Sequence, residues 1–282
     1  MTDSRAPSVT YDRPPVVEVA LSVQFDPPPG FNAGHFGAFW ATQKDRFGTV
    51  ATSPPISTPA EKFGGEGQWL PPTFGLGISN DPQCRVQMTS DDGEWMGQIQ
   101  ADRLVLNWRK KAAAYPRFGE AYRRFLDLWR ALHVFIVNER LASPAPRLWE
   151  VTYVNRIPKG ELWNSPQDWK AVFPGLWAGG SKAADGLIFR GFQGRWVWDS
   201  HRENGRLYID AYPASSADDP KTELLMVSLT ARGPMKPTGE QSGTAEAVQV
   251  IKAGMDLGHD LIVSTFDTVG SDIAKKHWGR HE

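Results

Sequence analysis

The sequence predicts an α+β fold of two repeated halves, each running strand, helix, about four strands and a long helix, joined in one antiparallel sheet with the helices on one face. Three observations predict it. The run Val16-Val17-Glu18-Val19-Ala20-Leu21-Ser22-Val23-Gln24-Phe25 alternates in hydropathy and returns in altered form as Leu148-Trp149-Glu150-Val151-Thr152-Tyr153-Val154-Asn155-Arg156-Ile157. Both runs carry a Glu-Val pair at the same phase. The step from Glu18 to Glu150 equals the step from Asn32 to Asn164, so the residues after each strand keep the same spacing.

The elements follow in order. Residues 1–12 read as a tail, and Pro14-Pro15 force an extended entry. Val17, Val19, Leu21, Val23 and Phe25 then share one face at period two. Asn32 can cap a helix over about 32–47, with Phe36, Phe39, Trp40 and Phe47 at helical spacing and Gly48 at its end. Residues 49–82 are broken by Pro and Gly and form a loop-rich insertion with one short strand near Val50–Ile56. Arg85–Met88, Glu94–Gln100 and Arg103–Arg109 make a meander, with Asp91-Asp92-Gly93 as a hairpin turn. Pro116 opens a helix to about 140, whose stripe is Phe118, Tyr122, Phe125, Trp129, Leu132 and Ile136.

The second half starts at 147 and runs to 282. After strand 148–157, Ser165-Pro166 caps a short helix with Trp169, Val172 and Phe173 inward. Leu187–Phe192, Arg195–Asp199, Arg206–Tyr212 and Glu223–Arg232 read as strands, with Asn204-Gly205 as a type I′ turn. The last helix begins near Thr244 and keeps phase through Val248, Ile251, Met255, Ile262, Phe266 and Ile273, with Gly254, Gly258 and Gly270 as weak points. Residues 13–142 and 147–282 are thus expected as half-repeats of one compact unit. The TATA-binding-protein fold has this element order, and a helix-grip fold is the alternative.

Composition bounds the function classes. The 282 residues are 40% hydrophobic and 22% charged, with a formal net charge of -1, so no global field draws the chain to nucleic acid or anionic lipid. A single Cys84 rules out an internal disulfide and suits a reducing cytoplasm, the expected location. Met1 to Tyr11 lacks the apolar core of a signal peptide. No apolar run reaches the ~20 residues of a membrane helix. The 12 Trp residues are the unusual count.

A set of short motifs, taken in order, carries a resemblance. Pro14-Pro15-Val16-Val17-Glu18-Val19, Leu106-Asn107-Trp108-Arg109, Val151-Thr152-Tyr153-Val154-Asn155-Arg156-Ile157 and Gly258-His259-Asp260 with Phe266 and Trp278-Gly279-Arg280 span nearly the whole chain. Together they resemble a sporadically distributed prokaryotic family with no assigned activity. The resemblance implies a cytoplasmic bacterial protein and carries over no catalytic residue.

No catalytic, metal or cofactor motif stands out. His277 and His281 share a helical face but lack a third ligand. Asp199-Ser200-His201 has triad residue types in a hairpin that cannot give triad geometry. The loop Gly64-Gly65-Glu66-Gly67 lacks the Lys-Ser/Thr of a phosphate cradle. His133, Cys84 and His259, on the last helix's apolar stripe, read as partly buried structural groups. Glu18 and Glu150 stand on equivalent strands, which can bring two carboxylates to one surface for acid/base work, but each is expected to pair with a cross-strand Arg.

Three functions follow. The first is a non-enzymatic binding or assembly protein that engages a protein partner, or itself, through an open sheet face. Burial needs put Val17, Val19, Leu21, Leu104, Leu106, Trp108, Leu207 and Ile209 toward the helices. Period two then sends Glu18, Gln24, Arg103, Asn107, Arg109, Arg206, Tyr208, Asp210 and Tyr212 to the opposite face, joined by Arg195, Glu150, Thr152 and Arg156. The second is a nucleic-acid-binding saddle using Arg103, Arg109, Arg195 and Arg206, disfavoured by the net charge. The third is a small-molecule binder or enzyme with a pocket between the sheet and the long helices.

Overall fold

The structure, a computed structural model, describes residues 9–57, 63, 84–177, 189, 191–200, 205–235 and 244–281. Among these, strand β1 (Thr10–Tyr11) precedes β2 (Val16–Asp26), helix α1 (Ala33–Thr42), β3 (Thr49–Ser53), β4 (Arg85–Thr89), β5 (Trp95–Gln100), β6 (Arg103–Arg109) and helix α2 (Arg117–Asn138). Then come β7 (Ala145–Pro158), the short helix α3 (Trp169–Val172) between two 3₁₀ turns, β8 (Gly194–Asp199), β9 (Arg206–Ser215), β10 (Glu223–Pro234), α4 (Thr244–Val269), α5 (Asp272–His277) and β11 (Arg280–His281). The fold is mixed α+β. Nine strands form one antiparallel sheet in the order β3-β4-β5-β6-β2-β7-β10-β9-β8. No helix among the described residues is long and apolar enough to cross a membrane.

The two alternating runs lie side by side at the centre. Strand β2 pairs with β7, Leu21 opposite Val151 and Val19 opposite Tyr153. Helix α2 packs on β6 and β2, α4 on β7 and β10, and α1 on β4 and β5. Between them lies a continuous core that includes Val19, Leu21, Trp108, Trp129, Trp149, Val151, Ile209 and Ile251. The local rules hold where tertiary packing agrees with them. Asn32 accepts the Gly34 N–H at 3.1 Å and starts α1. Asp91-Asp92-Gly93 turns the chain from β4 into β5, with Gly93 at φ 70°.

Several expectations are corrected. The register of β2 slips between Val16 and Glu18, so Val16 enters the core and Val17 does not. The bulge adds one residue and reverses the phase before it. Helix α1 ends at Thr42 rather than near 47, with Gln43 capping it. Tyr11, placed in the tail by sequence, is buried, since β1 pairs with β11. His277 and His281 do not share a helical face: His277 ends α5 and stands 2.9 Å from Glu161, while His281 lies in β11, 2.8 Å from Asp12. Ile273 is 74% exposed, because α4 ends before Gly270 and Ser271 caps a separate helix, α5. Phe189, Gly191 and Phe192 lie in no strand; the other residues of the expected strand 187–192, Asn204 and most of 49–82 lie outside the described residues.

Candidate functional site

The sheet face opposite the helices was expected to be open. Over β5, β6 and β2 it is closed: Arg103 is 3% exposed, Asn107 5%, and Ser22, Gln24, Gln98 and Gln100 are also buried. Two features close it. The chain after β3 lies on it, with the Ile56 N–H donating to Gln100 and the Gln100 amide donating to the Ile56 carbonyl at 3.0 Å. The side chains also bond to one another across five strands. Ser53 on β3 donates to Gln87 at 2.8 Å, Gln87 to Gln98 at 3.3 Å, Gln98 to Asn107 at 2.6 Å and Asn107 to Glu18 at 2.5 Å. The side chains in this row are thereby satisfied internally, whereas Ser22 Oγ and Arg103 Nε and Nη2 on the same face find no partner among the described residues.

Glu150 does find arginines, Arg232 at 3.1 Å and Arg103 at 3.8 Å. Glu18 instead takes the Asn107 amide, and Arg109 donates to the Gly93 carbonyl at 3.2 Å. Glu18 and Glu150 therefore sit in separate networks. On the β9–β8 side the face is more accessible. There Arg195 pairs with Asp210 at 2.6 Å and Arg206 with Asp199 at 2.5 Å, while Arg195 and Arg232 lie over the ring of Tyr208. Arg156 is exposed at the end of β7.

A concave, largely apolar site lies on the other face. A cavity of about 540 Å³ opens where β7, β10, α2, α4 and the N-terminal segment meet. That is within the ~300–1,000 Å³ of small-molecule sites. Its apolar wall comes from Val16, Phe118, Leu229, Ile262 and Phe266. Its polar groups come from distant parts of the chain. Tyr153, on the helix-facing side of β7, bonds Tyr115 at 3.0 Å and Nδ1 of His259 at 2.9 Å. His259 reaches it from α4 and stacks on Phe118, centroids 4.2 Å apart and planes 2° from parallel. Three side chains thus form one hydrogen-bonded chain. Hydroxyls and a neutral imidazole each donate and accept, so the chain is satisfied in either direction. If Tyr115 donates to Tyr153 and Tyr153 to Nδ1, then Nε2 carries the proton. In reverse, Nε2 accepts and the Tyr115 hydroxyl is the terminal donor.

Electrostatics hold this chain neutral. Burial first, then the neighbouring Tyr115, pushes Tyr153 well above the usual phenol range. Burial pushes Tyr115 up to about 12 despite its bond to Tyr153 and the nearby Arg117. Burial also holds His259 below the usual imidazole value, against the opposing pull of Asp260 and Asp256. At the rim, Tyr11 donates to Asp267 at 2.7 Å, and Arg280 donates to the same carboxylate at 2.7 Å. Burial works to raise Asp267, but the bonds from Arg280 and Tyr11 outweigh it and hold the carboxyl low.

Arg117 stands at the mouth as the first residue of α2, with φ 69°. This left-handed conformation costs a non-glycine residue roughly 1–2 kcal/mol. Its Nη1 donates to the Tyr11 carbonyl at 2.9 Å, which fixes the side chain across the N-terminal segment. No group of three or more metal-ligating side chains occurs among the described residues. No protein-family model, no curated protein and no solved structure matches the chain.

The depressed His259 has a measurable consequence. An unfolded imidazole titrates near ~6.5. Below that pH the unfolded chain binds more protons than the fold does, so the His259 contribution is complete above about 6.5 and is lost as pH falls through the folded value. His133, also lowered by burial, acts in the same sense. Melting temperatures of wild type and His259→Gln at pH about 7.5 and about 5.5 should show a smaller acid loss in the variant. An equal loss in both would mean that His259 is not held neutral by the fold.

Proposed function

We propose that the protein binds a small organic molecule in the cavity between the centre of the sheet and the two long helices. The observation that carries this reading is the Tyr115–Tyr153–His259 chain set into the wall of an otherwise apolar cavity of about 540 Å³. Pockets of this kind bury a ligand's apolar body and orient it with a few polar groups. A neutral chain that is satisfied in either direction can present a donor or an acceptor to a bound molecule, and it supports proton transfer if the ligand calls for it.

Binding of a neutral apolar dye such as Nile red, followed by fluorescence, tests the reading. Gly119 lines the cavity, and a Cβ there meets nothing within 4 Å. Gly119→Trp should therefore fill the cavity without disturbing the fold, and should abolish dye binding with no loss of melting temperature. Dye binding retained by the folded variant, or absent from the wild type, defeats the proposal. Native mass spectrometry of the purified protein should show a co-purified mass that this variant lacks.

A protein partner on the sheet face remains the second reading, supported by the exposed Arg156 and Arg195 and the part-exposed Arg206 and Asp210 around the buried Tyr208. The pairing of Arg195 and Arg206 with Asp210 and Asp199 weakens a nucleic-acid saddle, because each guanidinium already has a carboxylate beside it and the local positive charge is balanced. We also propose that the fold is an internal duplication of TATA-binding-protein type. Its support is the strand order, in which β2 and β7 are central neighbours and each is followed outward by the last strand of its own half, β6 or β10.

A further inference from the structure

We infer that the cavity takes a carboxylate with an apolar body and a hydroxyl at its far end, the carboxylate at Arg117 and the hydroxyl on Asn155. This rests on the cavity being a binding site. Three observations converge on the ligand's chemistry.

The first is an unbalanced charge. Arg117 is the one Lys or Arg among the described lining residues, and no Asp or Glu lines the cavity with it. Its one hydrogen bond goes to the neutral Tyr11 carbonyl, and it makes no ion pair with a carboxylate among the described residues. Its backbone is held in the left-handed region to place it there. A guanidinium in that position offers its remaining N–H groups in a fixed fork, which suits a carboxylate.

The second is a buried acceptor. Asn155 is 4% exposed and lines the cavity. Its amide donates to the Val227 carbonyl at 3.1 Å, while its side-chain oxygen takes no hydrogen bond among the described residues. An amide oxygen with no protein donor among the described residues, on a residue that lines the cavity, can accept a hydrogen bond from a ligand hydroxyl that enters there.

The third is the apolar part of the lining. Phe118, Leu229, Ile262 and Phe266 offer apolar contact, so the body of the ligand is hydrocarbon. The Tyr115–Tyr153–His259 chain adapts to whichever hydrogen-bonding sense the hydroxyl leaves.

Calorimetric titration with ω-hydroxydecanoate, decanoate and decanol tests this assignment, with the dye experiment as the independent check on the cavity. The hydroxy acid should bind most tightly and decanol least. Arg117→Gln should weaken both acids by roughly tenfold or more, the scale of a charge-assisted hydrogen bond, and leave decanol unchanged. Asn155→Val should remove the advantage of ω-hydroxydecanoate over decanoate. If that variant fails to fold, the wild-type preference between the two acids decides the point. Decanol binding as tightly as decanoate, with Gly119→Trp still blocking it, overturns the carboxylate assignment and leaves the cavity standing. Failure of all three probes and of the dye overturns both. Equal binding of the two acids removes the hydroxyl at Asn155.

Discussion

Trp129→Ala is expected to destabilise the protein by about 3–5 kcal/mol, the range for deleting a buried Trp or Phe side chain. Trp129 is 0% exposed in the middle of α2 and meets Phe25 edge-on at 5.9 Å, so it ties the helix to the end of β2. Truncation leaves a hole between a helix and a central strand, where the nine-stranded sheet has little room to collapse. Trp129→Phe should cost much less, because the indole N–H has no hydrogen-bond partner among the described residues and its removal relieves a buried polar group. Denaturant unfolding of both variants measures the difference. A loss below about 1 kcal/mol for Ala would take Trp129 out of the core.

Gly254→Val should be the second large effect, destabilising by about 1–3 kcal/mol through overpacking. Gly254 lies inside α4, where the absence of a side chain normally costs ~1 kcal/mol relative to Ala. Here the absence is required. A Cβ at Gly254 would collide with the indole of Trp149, and one at Gly258 would lie 2.8 Å from Val151 Cγ2. The two glycines one turn apart let α4 settle against β7, which brings His259 within reach of Tyr153. Gly119→Ala, on a helix surface with open space, should instead gain about 0.5–1 kcal/mol. A stabilising Gly254→Val would refute the close approach.

The alternation of β2 and β7 and the apolar stripes of α2 and α4 were legible because burial repeats at period two or near four along the chain. Arg103–Arg109 was readable to its ends as β6, with Leu104, Leu106 and Trp108 facing inward. The bulge at Val17 was not, since Val16 and Val17 are chemically alike and only the β7 register distinguishes them. The opposite face was misjudged for a related reason. Period two assigns Asn107 and Arg103 to a side, but it does not reveal that Gln98, Glu18 and the chain near Ile56 meet them there. The cavity was the least legible part. Tyr153 read only as one member of an alternating strand and His259 as a partly buried structural group on a helical stripe. Their hydrogen bond joins residues 106 apart in sequence, and no local pattern encodes it. Gly254 and Gly258 were visible as weak points but not as the reason that the two meet.

The amide ladder from Ser53 to Glu18 has a consequence for how the sheet assembles. Each rung is correct only if its strand pairs in one alignment, since a slip by one residue turns every side chain to the other face. A slipped β5 would drive Gln98 and Gln100 into the aromatic interior and abandon Asn107 and Ile56 together. The penalty is shared by neighbouring strands, so one mistake is felt along the row. The ladder works as a parity check written into the backbone's alternation: it contributes little driving force for collapse, yet it rejects the near-native misalignments that an all-apolar sheet of this width would tolerate.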